Sequence, residues 1–221
     1  MRIGILGGTG PAGSALALRL ASVGFDTVVG SRSADRAAET CNRLRADWPD
    51  HDLPLSATDN HGAALCDVVV VATPWDAAAA TAASVARELA GKVVISMGNA
   101  LVRIDREFQP LMPPRGSVAA SVQAAAPKSM VSAAFHHVPA RELGDLNHPV
   151  ESDVLVCSDH PEATETTLAI VTELPGVRGL DAGPLSCATP VEAFAAVLLQ
   201  LNTRYKTRVA VRFTGLDLEG D

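Results

Sequence analysis

The sequence predicts an α/β fold: a Rossmann-type doubly wound parallel sheet with a smaller C-terminal α/β part. Three observations predict it. In residues 1–32, the apolar run Ile3, Ile5, Leu6 leads into Gly7-Gly8-Thr9-Gly10-Pro11-Ala12-Gly13, then Ser14–Ala21 at helical spacing, then Thr27-Val28-Val29 ending in Gly30-Ser31-Arg32. Asp67–Thr73 is a run apolar on both faces, as a central parallel strand should be. From Met1 to about Ser96 strand and helix signals alternate, the pattern of a doubly wound sheet.

The opening stretch reads as strand, glycine turn, helix, strand. Gly8, Gly10 and Gly13 fit G-x-G-x-x-G directly after a strand and at the start of a helix. Gly8 is expected to allow the tight turn, Gly10 to let the backbone approach a pyrophosphate, and Gly13 to let helix and strand pack closely. Free amides at the helix start, with the helix dipole, favour phosphate charge. The end of the second strand selects the dinucleotide. A carboxylate there would hold a ribose 2'-hydroxyl, whereas Ser31 and Arg32, with Arg36 one turn later, can donate to a 2'-phosphate. The reading is NADP. The glycines alone would also suit a plain turn before a helix, and Arg36 would also suit a solvated helix face.

Ser33–Trp48 is expected to be a polar-faced helix, Leu53–Ala57 a third strand, and Thr58-Asp59-Asn60 the cap of a short helix to Leu65. Pro74 ends the central strand; Asp76 opens an alanine-rich helix to about Leu89, with Gly91 at its C' position. Lys92–Ser96 is the next strand. Asn99–Gly116, with Pro110, Pro113 and Pro114, reads as irregular. Ser117–Ala126 is helical and Ser129–Phe135 extended, ending at His136-His137; Val138–Leu146 is a short helix and loop. Asp153–Cys157 is a strand, Ser158 or Asp159 caps a helix from Pro161 to Glu173, and Val177–Leu180 is extended. Asp181–Ser186 is a loop, and Val191, Phe194, Ala195, Leu198, Leu199 and Leu201 give the Pro190–Lys206 helix an apolar stripe.

Composition narrows the function. With 221 residues, 48% hydrophobic and 19% charged, the chain can bury a sizeable core and is not disordered overall. A net charge of -7 gives no sign of general nucleic-acid binding, so an anionic ligand must meet a local basic patch. Cys41, Cys66, Cys157 and Cys187 are widely spaced, and read as reduced thiols of a cytoplasmic protein, with no metal site. Glycines and Pro11 interrupt the N-terminal apolar run, which argues against a signal peptide, and no apolar stretch is expected to reach membrane-spanning length.

Ligands of such sheets sit at the carboxyl ends of the strands, so the loops starting at Gly7, Gly30, Thr73 and Ser96 should converge on one crevice. Thr73-Pro74-Trp75 should lie there, although Trp75 would equally suit a core tryptophan. His136 is a candidate ligand contact, His137 less directly so, and the Asp181–Ser186 loop is a candidate pocket wall. G-x-S-x-G, H-E-x-x-H and a Tyr-x-x-x-Lys pair are all missing. Hydride transfer between two cofactors needs no such group, because positioning supplies much of the catalysis.

Gly7-Gly8-Thr9-Gly10-x-x-Gly13, Val29-Gly30-Ser31-Arg32, Thr73-Pro74-Trp75, Phe135-His136-His137-Val138-Pro139-Ala140 and Leu180-Asp181-Ala182-Gly183-Pro184-Leu185-Ser186 occur in that order. Together they resemble the F420-dependent NADP reductases, from Met1 to about Phe213. Ala100 after Asn99 and Cys187 depart from the family pattern, which often has proline and asparagine there. The resemblance implies direct hydride transfer between NADP(H) and the 5-deazaflavin coenzyme F420, commonly in a homodimer. It implies that Thr9, Ser31, Arg32 and Arg36 hold the NADP phosphates, that Pro74, His136 and Ala140 surround the stacked rings, and that the tail near Val211 helps close the deazaflavin pocket. Arg103, Arg106, Arg115 or Lys128 could meet the phosphate and glutamate tail of F420.

The expected cofactor contacts are therefore Gly8, Thr9, Gly10, Pro11, Ala12, Gly13, Ser31, Arg32, Arg36, Thr73, Pro74, Trp75, Asn99, His136, Ala140 and Val211, with no catalytic side chain and no metal. Residues 1–145 are expected to form the NADP-binding domain and 146–221 a smaller domain completing the deazaflavin pocket and the dimer. Two rivals are an NADPH-dependent reductase of a small imine or carbonyl substrate and a non-catalytic NADP-binding sensor.

Overall fold

The computed structural model describes residues 1–216. The chain runs β1 (Arg2–Leu6), α1 (Pro11–Ser22), β2 (Asp26–Ser31), α2 (Ala34–Asp47), β3 (Leu55–Asp59), α3 (Asn60–Ala63), β4 (Val68–Val71), α4 (Trp75–Ser84) and β5 (Val93–Ser96). It continues through β6 (Leu101–Ile104), β7 (Glu107–Pro110), α5 (Val118–Ala125), β8 (Met130–Ala133), α6 (Ala140–Leu143), β9 (Ser152–Ser158), α7 (Pro161–Thr172), β10 (Val177–Asp181) and α8 (Ala188–Tyr205).

Eight strands form one sheet in the order β10-β9-β8-β5-β4-β1-β2-β3. From β3 to β8 every pairing is parallel; β9 then runs antiparallel to β8, and β10 parallel to β9. Alternate strand residues face two helical layers. Ile3, Ile5, Val68, Val70 and Ile95 pack with Leu16 and Leu20 of α1 and Ile170 of α7, while Leu6, Val69, Val71 and Val94 pack with Ala78 and Ala82 of α4 and Val122 of α5. That two-sided burial explains why β4 is valine throughout. The chain leaves β1 towards β2 and β3, then crosses back to β4. The strand order thus reverses between β1 and β4, and a ligand crevice opens there at the carboxyl ends.

The boundary expected at residue 145 falls between α6 and β9, and strands on both sides of it share this sheet. Four expectations need correction. The segment read as irregular carries the β6–β7 hairpin, paired Leu101↔Pro110 to Ile104↔Glu107 and turned at Asp105, whose φ is 53°. The alanine-rich helix stops at Ser84, and turns continue to Gly91. Neither Ser158 nor Asp159 caps α7: the N-cap is His160, while the Ser158 hydroxyl donates to the Val131 carbonyl and the Asp159 carboxylate accepts from the Leu185 amide. Leu185–Tyr205, with a mean hydropathy of 1.2, is long and apolar enough by composition to cross a membrane. In the fold its Ala188, Ala195 and Leu198 are buried against the protein and its Glu192 carboxylate is buried too.

Candidate active site

The glycine turn joins β1 to α1. Its left-handed residue is Gly7 (φ 73°), not Gly8; a Cβ there would also lie 2.6 Å from Thr73 Cγ2. The Gly8 amide donates to the Gly30 carbonyl at 2.8 Å, tying the ends of β1 and β2 together. Gly13 packs as expected: a Cβ would fall 2.9 Å from the Gly7 carbonyl oxygen and 3.1 Å from Ala72 Cβ. Around Gly10 the nearest atom to such a Cβ is 3.5 Å away, which leaves the approach from outside open. Gly10 is the N-cap of α1, Pro11 follows it, and no side chain caps the helix. The first-turn amides are thus left to an anion.

At the end of β2, Ser31 is buried and its hydroxyl accepts from the Ser33 amide at 3.4 Å. Arg32 and Arg36 are exposed and have no ion-pair partner among the described residues. This is a basic rim beyond the turn, suited to a phosphate monoester.

A cleft of about 540 Å³ opens over the β1–β4 reversal. It brings together Gly10, Pro11, Ala12, Thr73, Pro74, Trp75, Asn99, His136 and Ala140 from the expected set. Gly8, Thr9, Gly13, Ser31, Arg32 and Arg36 are not on its wall. Val211 is not on the wall either: its carbonyl accepts from the Asp153 amide at 2.6 Å, and Val209, two residues earlier, lines the cleft. Trp75 does both things expected of it, lining the cleft and packing on the α4–α5 core. The Asp181–Ser186 loop does not reach the cleft. Because β9 and β10 run opposite to β8, this loop leaves the sheet at the end opposite the cleft, where Gly183 and Pro184 line a second hollow.

Sequence reasoning missed the far wall. Ala195, Leu198, Leu199 and Asn202 of α8, with Arg208, Val209 and Arg141, complete the cleft. The apolar stripe of α8 was legible, but as packing only. Arg103, Arg106, Arg115 and Lys128 are absent from this wall.

The β8 strand ends early because Phe135 takes a left-handed backbone (φ 64°), rare for an aromatic residue and found where surrounding structure enforces it. Asn99 Nδ2 donates to the His136 carbonyl at 2.6 Å, and His137 Nε2 meets the Asp153 carbonyl at 2.7 Å. The His136 ring is buried, and neither nitrogen finds a partner of acceptable hydrogen-bond geometry. Burial, with His137 alongside, pushes its pKa down to about 3, the Ala134 backbone opposing only in part. It is therefore neutral near pH 7, with one N–H and one lone pair to offer. Thr73 Oγ1, also on the wall, is likewise buried and unpartnered.

Two buried charged residues brace the site. Arg19 of α1 donates to the carbonyls of Glu142, Leu143, Asp145 and His148, fastening α6 onto the helix whose N-terminus faces the cleft. Glu192 of α8 accepts from the Val118 and Ala119 amides at 2.8 and 3.1 Å, capping α5. Burial raises its pKa to about 7 against the pull of those two amides.

An uncapped helix N-terminus, an open approach at Gly10 and a basic rim fit a dinucleotide phosphate. Thr73 and His136 line this cleft and carry buried polar atoms that have no partner among the described residues. The family profile described as NADP oxidoreductase coenzyme F420-dependent matches residues 2–100. A F420-dependent NADP reductase of Methanocaldococcus jannaschii is 35% identical over 99% of this chain and 100% of its own length. One from Methanothermobacter thermautotrophicus is 32% identical over 98% of this chain and 96% of its own. A solved structure from Arthrobacter sp. FB24 superposes with a TM-score of 0.79 at 22% identity, covering 96% of this chain and 100% of that one, and shares the fold.

Proposed function

Because the chain belongs to the F420-dependent NADP reductase family, we propose that it transfers a hydride directly between NADP(H) and the deazaflavin coenzyme F420. The observation that carries this reading is the cleft itself. One wall is the uncapped start of α1 with Thr73–Trp75, and the other is His136–Ala140 with α8. When both coenzymes are bound, the nicotinamide and deazaflavin rings supply the redox chemistry.

The protein supplies placement. The α1 amides hold the pyrophosphate, and Ser31, Arg32 and Arg36 hold the 2'-phosphate, favouring NADP over NAD. Gly10, Pro11, Ala12, Thr73, Pro74, Trp75 and Asn99 form the nicotinamide side of the cleft. His136 and Ala140 form the deazaflavin side, where neutral His136 donates or accepts at the ring edge without changing charge. The apolar α8 face keeps water from the reacting carbons.

The active form is a homodimer in the cytoplasm. Phe194, Val197 and Tyr205 present an apolar face of α8 outwards, 39%, 49% and 67% exposed, and a second copy would cover it. The cysteines are free thiols, three of them buried, as a reducing compartment allows.

The test is absorbance of oxidised F420 on mixing with protein and NADPH, with NADH in parallel. Bleaching by NADPH and much slower bleaching by NADH is the expected result. Bound NADPH with no bleaching would overturn it, and would revive the imine or carbonyl reductase, assayed with those substrates, or the sensor.

A further inference from the structure

The cleft wall carries two charged side chains among the described residues, Arg141 and Arg208, and no carboxylate. In a chain of net charge -7 this is a local reversal of sign. Neither arginine belongs to the fingerprint turn or the β2 end, where the phosphates of NADP already have their donors. Arg141 lies on α6 and has no ion-pair partner among the described residues. Arg208 is placed by the turn after α8. Lys206 takes a left-handed backbone (φ 52°) as C-cap, and the Val209 amide donates to Asn202 Oδ1 at 2.6 Å. Arg208 Nη1 reaches Glu142 Oε1 at 3.0 Å, which brings its guanidinium beside the residue next to Arg141.

Resting on the hydride-transfer reading above, we propose that Arg141 and Arg208 form the receptor for the anionic tail of the deazaflavin coenzyme, its phosphodiester and glutamyl carboxylates, and so select F420 over the tail-less chromophore. Guanidinium groups suit both anions, because their forked N–H groups match carboxylate and phosphate oxygens in pairs. Glu142 holds Arg208 in place until the tail arrives, and both partners are partly exposed, so the exchange is between weak, screened contacts.

The experiment measures affinity and turnover for F420, for the 5-deazariboflavin chromophore lacking phosphate and glutamates, and for NADPH, in wild type, Arg141→Gln, Arg208→Gln, the double variant and Arg208→Lys. The inference expects each glutamine variant to raise KM and Kd for F420 by about tenfold to a hundredfold. It expects kcat at saturation, the tail-less chromophore and NADPH to change less than about twofold, and Arg208→Lys to recover part of the loss. Wild-type binding of F420 should weaken with salt, and the double variant should lose most of that dependence. Equal use of F420 and the tail-less chromophore by wild type would overturn the inference and leave the hydride-transfer reading standing, as would variants that weaken NADPH as much as F420. No turnover of either deazaflavin by wild type would overturn the hydride-transfer reading and this inference with it.

Discussion

Asp153→Asn should destabilise the protein and loosen the far wall of the cleft together. The carboxylate of Asp153 is fully buried and accepts from four donors. Oδ1 takes Arg178 Nε at 2.7 Å and Arg212 Nη1 at 3.2 Å, while Oδ2 takes Arg178 Nη2 at 2.9 Å and the Phe213 amide at 2.6 Å. An asparagine keeps one acceptor oxygen and turns its NH2 against two of those donors. Two charge-assisted bonds at about 1.5–3 kcal/mol each give a loss of about 3–6 kcal/mol, overlapping the roughly 3–5 kcal/mol for breaking a buried ion pair. Arg212 and Phe213 reach solvent, so water recovers part of the loss and the lower end is expected. Burial alone would raise the Asp153 pKa, but Arg178, the Phe213 amide and Arg212 together hold it below the ordinary value. A depressed carboxylate stabilises the fold above its unfolded pKa and loses that contribution as pH falls, so the gap between wild type and variant should be constant above about pH 5 and narrow below about pH 4. Urea unfolding measures it. Because the Asp153 backbone also holds Val211 and His137, the variant should raise KM for F420 more than for NADPH. A loss under about 1 kcal/mol with unchanged KM for F420 would refute this account of the tail.

Arg32→Ala should weaken NADPH by about tenfold to a hundredfold and NADH by less than twofold, measured by fluorescence titration; equal losses would remove Arg32 from the 2'-phosphate. Glu192, raised to about 7, favours the folded state below the unfolded pKa and loses that contribution as pH rises through 7. The wild-type Tm should therefore fall between pH 5.5 and 8.5 by more than that of Glu192→Gln, and parallel curves would refute the assignment. His136→Leu removes two unpartnered ring nitrogens from a buried position, so the free protein should melt at a higher temperature while KM for F420 rises about tenfold. A lower Tm with KM unchanged would make the ring structural. With His136 titrating near pH 3, kcat of the wild type should show no step between pH 5 and 8 from this residue.

The half of the fold that was legible announced itself locally. β1, β4 and β5 are continuous apolar runs ending in glycine or proline signals, and the residues that follow them, Gly10–Ala12, Thr73–Trp75 and Asn99, do meet in the cleft. His136 and Ala140 follow β8 in the same way. The β6–β7 hairpin was hidden because its strands pair only with each other and its prolines imitate a loop. The direction of β9 was not legible at all, since an apolar strand reads the same either way. That reversal decides where α8 lies. With β10 ending at the end of the sheet opposite the crevice, α8 starts there and its last turns return to the crevice, carrying Leu198, Leu199 and Asn202 with them. The charged braces were invisible for a related reason: Arg19 and Glu192 meet backbone groups 123 to 129 and 73 to 74 residues away, and a peptide carbonyl or amide has no sequence signature.

The segment from Phe135 to His137 shows how these distant contacts bear on the site. A left-handed phenylalanine costs about 1–3 kcal/mol, and an unpartnered buried imidazole a similar amount. Neither is needed for the sheet, because β8 has already made its pairings to β5 and β9 by Ala133. What holds the segment is its surroundings: Asn99 on the His136 carbonyl, Asp153 on the His137 ring, and Arg19 locking the turn that follows. Each contact comes from a different element, so the conformation is overdetermined from three sides while the buried His136 ring nitrogens are left without a partner among the described residues. A ligand that hydrogen-bonds to that ring recovers free energy that the folded chain alone forfeits. In the hydride-transfer reading proposed above, that free energy would be recovered on the deazaflavin side of the cleft, in a position fixed before the ligand arrives.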